Sequence, residues 1–285
     1  MIVIGVDGSR AGLRAVNWAM READMRGAGV RIVNAVPTWA YKAPEDAPYA
    51  YAGRLVRESA TSVLADALRR AHSQMPRIEV ETELLWGDPR LSLIRASKDA
   101  ELLVVGSHGL DGFRGLLLGS VALGVSGQAT CPVVVVREGR AQPRNEVVVG
   151  VDGSPGCAAA IEFAFAEADL RGAELHAVHA WGEPVAGFRS EVMPAAIDKA
   201  GARRLLLAEV VTGQRERYPD VKLVERIERG HPVDVLRRAS TRAGLLVVGS
   251  RGRGGVAGML LGSVSHSLLH HAVCPIVVIP VAGGA

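Results

Sequence analysis

A glycine-rich segment occurs twice in the chain, and its surroundings restrict how each half can fold. Gly106-Ser107-His108-Gly109 is followed after nine residues by Gly119-Ser120, and Gly249-Ser250-Arg251-Gly252 is followed in the same way by Gly262-Ser263. Each copy comes after an apolar run and before a possible helix start, a pattern typical of strand, loop and helix. Such a loop places free backbone N–H groups and the positive end of a helix dipole together, which favours a phosphate. A tight connection without a ligand is the alternative for one copy, but the repetition favours a phosphate site.

The rest of the chain repeats as well, with a period of half its length. Ile4-Gly5-Val6-Asp7-Gly8-Ser9 returns at residues 149–154, and the segment 22–28 returns at residues 167–173. Each half predicts the alternation βαβαβαβαβ, which is typical of a parallel sheet covered by helices on both faces. The predicted fold is therefore α/β, with two doubly wound five-stranded parallel sheets of strand order 3-2-1-4-5 in tandem. The predicted domains are 1–140 and 146–285, joined by a polar linker.

The last strand of each half has a composition that an exposed sheet edge rarely tolerates. Val133-Val134-Val135-Val136 and Ile276-Val277-Val278-Ile279 are apolar at every position. In the order 3-2-1-4-5 each would lie at an edge, where unpaired backbone groups invite aggregation. We therefore expect the two strands to pair with each other across a pseudo-two-fold axis.

Composition restricts the binding partners and the cellular compartment that we expect for this chain. The 285 residues are 48% hydrophobic, and 33 basic against 30 acidic residues give a net charge of +3, too small to favour nucleic acid. The opening residues Met1–Val6 read as a strand rather than a signal peptide, and no apolar run is long enough to cross a membrane. The three cysteines have no paired spacing, which argues against disulfides and zinc. The expected location is the cytoplasm.

The predicted topology places the binding crevice between the first and fourth strands of each half. Asp7 and Asp152 close the two first strands and so reach this crevice, although turn formation before the following glycine is the alternative role. A nucleotide fits there, with phosphates near Gly109 and Gly119-Ser120, ribose or a metal near Asp7, and the base near Ala35. Neither a Walker A sequence nor the dinucleotide fingerprint is present.

These motifs resemble a known family. Gly-x-x-Gly, nine residues and Gly-Ser, with an aspartate closing the first strand and Cys-Pro opening the last, is similar to the ATP-binding class of the universal stress protein family in tandem form. The resemblance implies an adenine-nucleotide alpha-hydrolase-like fold, a role in stress or growth regulation, and dimerisation through the last strand. The family's first-strand acid corresponds to Asp7 and Asp152, and its adenine contacts match Ala35 and Ala180 by position. Its phosphate ligands correspond to Gly106, Gly109, Gly119, Ser120, Gly249, Gly252, Gly262 and Ser263.

The two copies differ in charge. The second contains Arg251, Arg253 and the hydroxyl of Ser265, whereas the first contains His108 and Asp111. We expect the second site to hold a triphosphate more tightly, although exposed arginines can also be solvated surface. Asp111 is open to two interpretations, assistance to Mg²⁺ or repulsion of phosphate.

The preferred function is a nucleotide-dependent switch that binds ATP, with or without Mg²⁺. No residue is assigned a catalytic role, because hydrolysis needs a positioned base and nothing repeated in both halves offers one beyond Asp7 and Asp152. Two alternatives remain: a slow ATPase or adenylate-transferring protein, and an interaction scaffold that has lost nucleotide binding. His270-His271 is interpreted as a packed or exposed pair. A homodimer is the expected assembly.

Overall fold

Each half of the chain folds as alternating strands and helices, as predicted. The computed structural model describes residues 1–42, 48–109, 118–137, 145–181, 211–252 and 260–281. The first half comprises β1 (Ile2–Gly5), α1 (Arg10–Arg26), β2 (Val30–Val36), α2 (Thr38–Tyr41), α3 (Ala50–Gln74), β3 (Val80–Trp86), α4 (Pro89–Ala96), β4 (Leu102–Gly106), α5 (Ser120–Gln128) and β5 (Val133–Val136). The second half comprises β6 (Glu146–Gly150), α6 (Pro155–Arg171), β7 (Glu174–Trp181), β8 (Leu223–Arg229), α7 (Pro232–Ser240), β9 (Leu245–Gly249), α8 (Ser263–His271) and β10 (Ile276–Ile279). Residues 211–217 are also helical.

The ten strands form one continuous sheet. Their order is β3-β2-β1-β4-β5-β10-β9-β6-β7-β8, which confirms the predicted order 3-2-1-4-5 in each half. All pairings within a half are parallel, and β5 pairs with β10 in the antiparallel sense, with Val134 opposite Val277. The expected pairing of the two last strands is thus confirmed, and it joins the two predicted sheets into one. The domain limits 1–140 and 146–285 stay a prediction, since most of the linker lies outside the described residues.

Helices cover both faces of the sheet. One apolar layer contains α1, α3 and α6, and the other contains α4, α5, α7 and α8. The α1 helix shows how its sequence sets its limits: the Ser9 side chain caps the first turn by accepting from the Gly12 N–H at 3.0 Å. Gly27 ends the helix at φ 61°, in the left-handed region where glycine carries no steric penalty. Because the strands within each half pair in parallel, their carboxyl ends all lie on the same side of that half.

Two further properties concern the helices and the cysteines. Within the ranges that the structure describes, no helix combines the length and the apolar character required to cross a bilayer. Cys131, Cys157 and Cys274 are all buried, and none of the three forms a disulfide. Burial raises the pKa of the Cys274 thiol to about 12, so this residue is held as an unreactive thiol.

Candidate functional site

Each half has one cavity at the carboxyl ends of its strands. The cavity of the first half has a volume of about 590 Å³ and that of the second half about 500 Å³, within the range of small-molecule sites. The predicted residues that line the first cavity are Asp7, Ala35, Gly106, Gly109, Gly119 and Ser120. Those that line the second are Asp152, Ala180, Gly249, Arg251, Gly252, Gly262, Ser263 and Ser265. Arg253 and Asp111 lie outside the described residues.

The aspartate that closes the first strand faces the glycine loop. Asp7 Oδ1 accepts from the Ser9 N–H at 3.0 Å, which is the turn role considered from the sequence. A β-carbon at Gly109 would lie 2.7 Å from Asp7 Oδ2, so a side chain there would force this carboxylate or the loop to shift. The second half repeats this arrangement: Asp152 Oδ1 accepts from the Ser154 N–H at 2.9 Å, and the distance at Gly252 is again 2.7 Å. The turn bond and the approach to the glycine loop therefore involve different oxygens of one side chain.

A backbone hydrogen bond closes each glycine loop. The Gly119 N–H donates to the Ser107 carbonyl at 2.8 Å, and the Gly262 N–H donates to the Ser250 carbonyl at 2.7 Å. These two N–H groups are therefore used within the loop. The donors left for an anion are those of the first helical turn, beginning at Ser120, since a first turn has no intrahelical acceptor.

The predicted phosphate glycine at the end of β4 has a packing role. A β-carbon at Gly106 would lie 2.6 Å from the Ala11 carbonyl carbon, so the close approach of α1 to β4 requires glycine there. At Gly249 the nearest atom would be the Arg251 carbonyl oxygen at 3.3 Å, which is a less severe contact. Both glycines line their cavities, and at Gly106 the need for glycine comes from the neighbouring helix.

The Ser265 side chain forms hydrogen bonds to the second glycine loop. Its hydroxyl is buried and lies 3.0 Å from both the Ser250 and the Gly262 carbonyl oxygens. A hydroxyl has one proton, and Ser265 donates it to a carbonyl of the loop. Toward a ligand, this hydroxyl can therefore act only as an acceptor. The first half has Ala122 at this position and lacks this tie.

The serines that begin α1 and α6 differ in their bonding. Ser9 accepts from Gly12 and donates to the His108 carbonyl at 3.3 Å, which ties the helix start to the loop. Ser154 occupies the same position in the second half and lines its cavity, yet its buried hydroxyl oxygen has no hydrogen-bond partner among the described residues. A buried polar atom without a partner is costly, so this hydroxyl is a candidate ligand contact that the sequence did not reveal.

One polar residue within the second strand of each half also lines its cavity, Asn34 in β2 and His179 in β7. Asn34 Nδ2 donates to the Val6 carbonyl, and the ring nitrogen Nδ1 of His179 lies against the Val151 carbonyl, each at 2.8 Å. Both side chains are buried. Sequence reasoning missed them, although a polar residue at the same place in two apolar strands is a signal that could have found them.

The charges differ between the sites as expected. Arg251 lines the second cavity, whereas the first has His108, whose Nδ1 lies 2.8 Å from Ser107 Oγ. Across the described part of the chain, no three His, Cys, Asp or Glu side chains come together in a way that could hold a metal.

Two doubly wound α/β domains with a phosphate-type loop at the switch point of each define an adenine-nucleotide alpha-hydrolase-like protein. The family model of the universal stress proteins matches residues 1–137 and 143–280. The chain belongs to the universal stress protein family, in the tandem form.

Relatives of the same length support this assignment. A universal stress protein of Mycolicibacterium smegmatis is 37% identical over 288 residues, covering 98% of this chain and 96% of the relative. One of Mycobacterium tuberculosis is also 37% identical, with 97% and 96% covered. Among solved structures, a universal stress protein from Archaeoglobus fulgidus has a TM-score of 0.72 at 23% identity, with 98% of this chain and 97% of that chain covered. That likeness concerns the fold.

Proposed function

We propose that each half binds an adenine nucleotide, preferably ATP, and that the chain is a nucleotide-dependent switch in stress response or growth regulation. The observation that carries this proposal is the approach of the Asp7 carboxylate to Gly109, where an added β-carbon would lie 2.7 Å from Oδ2, and the same approach of Asp152 to Gly252. A glycine of the loop, a carboxylate and a helix N-terminus thus lie together at the lining of each cavity. Phosphate and ribose need those two kinds of group close together.

The proposed orientation follows from the cavity linings. The phosphates lie on the first turn of α5 or α8 and the loop at Gly109 or Gly252, and the ribose lies near Asp7 or Asp152. The base lies against Ala35 or Ala180 at the end of the second strand. Mg²⁺, where present, binds to phosphate oxygens and Asp7 or Asp152, since hard cations prefer oxygen ligands.

The second site is proposed to bind ATP more tightly than the first. Arg251 adds a positive charge at its cavity, and the unpaired hydroxyl of Ser154 gains a hydrogen bond when a ligand oxygen or N–H reaches it. The first site has His108 in place of Arg251, and its Ser9 hydroxyl is already bonded twice. Both differences favour the second half.

The switch would act through the strands that join the halves. The Ser107 N–H donates to the Val136 carbonyl at 3.0 Å, and the Ser250 N–H donates to the Ile279 carbonyl at 2.7 Å. Each loop is thus bonded directly to β5 or β10, which form the junction. A nucleotide that shifts the loop therefore acts on the relation of the two halves.

Location and assembly complete the proposal. A cytoplasmic location agrees with three buried cysteines that form no disulfide. Dimerisation through the last strand was implied by the resemblance, but β5 and β10 already pair with each other within one chain. A homodimer of full chains, if it forms, would have to use another surface.

Acid extraction of the purified protein, followed by identification of the released nucleotide, tests the proposal most directly. Calorimetry of nucleotide-stripped protein with ATP and GTP then gives stoichiometry and base preference, and the expected result is two ATP per chain. Protein that contains no nucleotide and whose melting temperature ATP does not change would favour a scaffold. Multiple turnovers per second, abolished in Asp7→Asn or Asp152→Asn, would instead establish an enzyme.

A further inference from the structure

Two histidines on α8 lie one helical turn apart and face each other. His266 and His270 are four residues apart, the spacing that brings side chains together on one face of a helix. Their ring centres are 5.1 Å apart, and the ring planes are inclined by 48°. His266 is exposed and His270 is half-buried, so solvent reaches the pair. Two histidines at this helical spacing are a recurrent way of holding one metal ion.

The separation of the rings agrees with a shared ion. A metal bonded to an imidazole nitrogen at about 2.0–2.1 Å lies about 3.2 Å from the ring centre. Two such rings have centres about 4.5 Å apart at the right angle of tetragonal coordination and about 5.2 Å apart at a tetrahedral angle. The observed 5.1 Å lies within this range.

Arg137 lies at the same end of α8 as the two histidines. The positive Arg137 opposes a cation, but its guanidinium donates to the carbonyls of Leu269 and His270 at the end of α8. Those carbonyls carry the negative end of the helix dipole, which offsets part of this repulsion.

We propose that His266 and His270 form a two-histidine site for a divalent transition-metal ion, with Cu²⁺ bound most strongly and water completing the coordination. His271 is not part of this site, because adjacent residues do not share a helix face and its ring centre lies 6.3 Å from that of His270. The equivalent positions on α5 are Leu123 and Gly127, so the first half has no such pair. The same α8 helix provides the first-turn donors of the second cavity, so an ion across its last turns stabilises the element that holds that cavity.

The site is tested by titrating untagged, EDTA-treated full-length protein with Cu²⁺ alone at pH 7.5. We expect one Cu²⁺ per chain by calorimetry, with nitrogen coordination in the electron paramagnetic resonance spectrum. His266→Gln and His270→Gln should each weaken Cu²⁺ binding on the order of a hundredfold, because the single histidine that remains cannot chelate the ion.

His271→Gln is the matched control and should bind Cu²⁺ as the unchanged protein does. Melting temperatures of the metal-free variants separate loss of a ligand from loss of the fold, and His266 is exposed enough that its change should leave the fold intact. Binding that survives both His266→Gln and His270→Gln, or that disappears only in His271→Gln, would overturn the proposal.

Discussion

Arg26 of the first half donates to Glu167 of the second half, and the pseudo-symmetric partners Arg171 and Glu22 form the reciprocal ion pair. Each arginine also binds the glutamate of its own helix, with Arg26 Nε 2.7 Å from Glu22 Oε1. Both carboxylates are 1% exposed, so α1 and α6 share a closed network of four charges. Removing one member of such a network leaves an uncompensated buried charge, which is strongly destabilising.

This network should make stability depend on pH near neutrality. Burial raises the pKa of Glu167 from the ordinary 4.5 to about 7, Glu22 adds to the increase, and Arg171 and Arg26 oppose it. Because the folded state binds this proton more tightly, the resulting stabilisation is complete below about pH 4.5 and is lost as the pH rises through about 7. Urea unfolding from pH 4.5 to 8 should show this decline in the unchanged protein relative to Glu167→Gln. Glu162→Gln, at an exposed ion pair, is the control. Parallel curves for Glu167→Gln and the unchanged protein would show that Glu167 does not titrate in this range.

The glycine loops should tolerate no side chain beside the aspartates. A methyl group at Gly109 or Gly252 would lie 2.7 Å from a carboxylate oxygen and displace the loop. Gly109→Ala and Gly252→Ala should each weaken ATP binding at their own site by roughly tenfold, equivalent to about 1.4 kcal/mol. Calorimetry measures both sites, and Gly213→Ala, where the added carbon meets open space, should change neither. If the intact first site of Gly252→Ala binds ATP as tightly as the intact second site of Gly109→Ala, or more tightly, the ranking of the second site as the tighter one is wrong.

Ser9 and Ser154, which precede α1 and α6, should differ in whether they contribute to stability or to ATP binding. Ser9→Ala removes a cap and should lower the free energy of unfolding by about 1 kcal/mol. Ser154→Ala removes a hydroxyl that makes no hydrogen bond, so it should leave stability nearly unchanged while weakening ATP at the second site. Thermal unfolding of the nucleotide-free variants and calorimetry of each with ATP separate the two effects. A Ser154→Ala protein that binds ATP normally would show that the hydroxyl does not contact the ligand.

The junction strands should hold the halves together. Val135 and Val278 are 0% and 1% exposed, so lysine at both positions would bury unpaired charges next to the β5–β10 pairing. The double variant should melt at a lower temperature and give a more extended X-ray scattering profile. Thr82→Lys, on the exposed outer strand β3, is the control. A double variant that keeps both its melting temperature and its compact profile would contradict the pairing.

Local sequence patterns predicted most of the fold because apolar runs and caps act over short distances. The last strands were predicted at their observed limits, and the need to cover their apolar edges led to the pairing of β5 with β10. The repeat containing Glu22 and Arg26 was noticed only as a repeat, because its partners lie on another helix and composition does not reveal contacts between helices. The position of the site in the fold was predicted, but its hydrogen bonds were not. The bond from the Gly119 N–H to the Ser107 carbonyl, and the lack of a partner for the Ser154 hydroxyl among the described residues, depend on distances of tenths of an ångström.

The joining of the two halves in one chain through β5 and β10 removes a constraint that exact symmetry imposes. In a pair of identical subunits every substitution appears in both sites, so the two must change together. Here each half can vary alone while the shared sheet stays intact, and three positions show it: His108 corresponds to Arg251, Ala122 to Ser265, and Leu123 to His266. If both halves bind ligand as proposed, one molecule would respond to two different concentrations of one ligand, or to two different ligands.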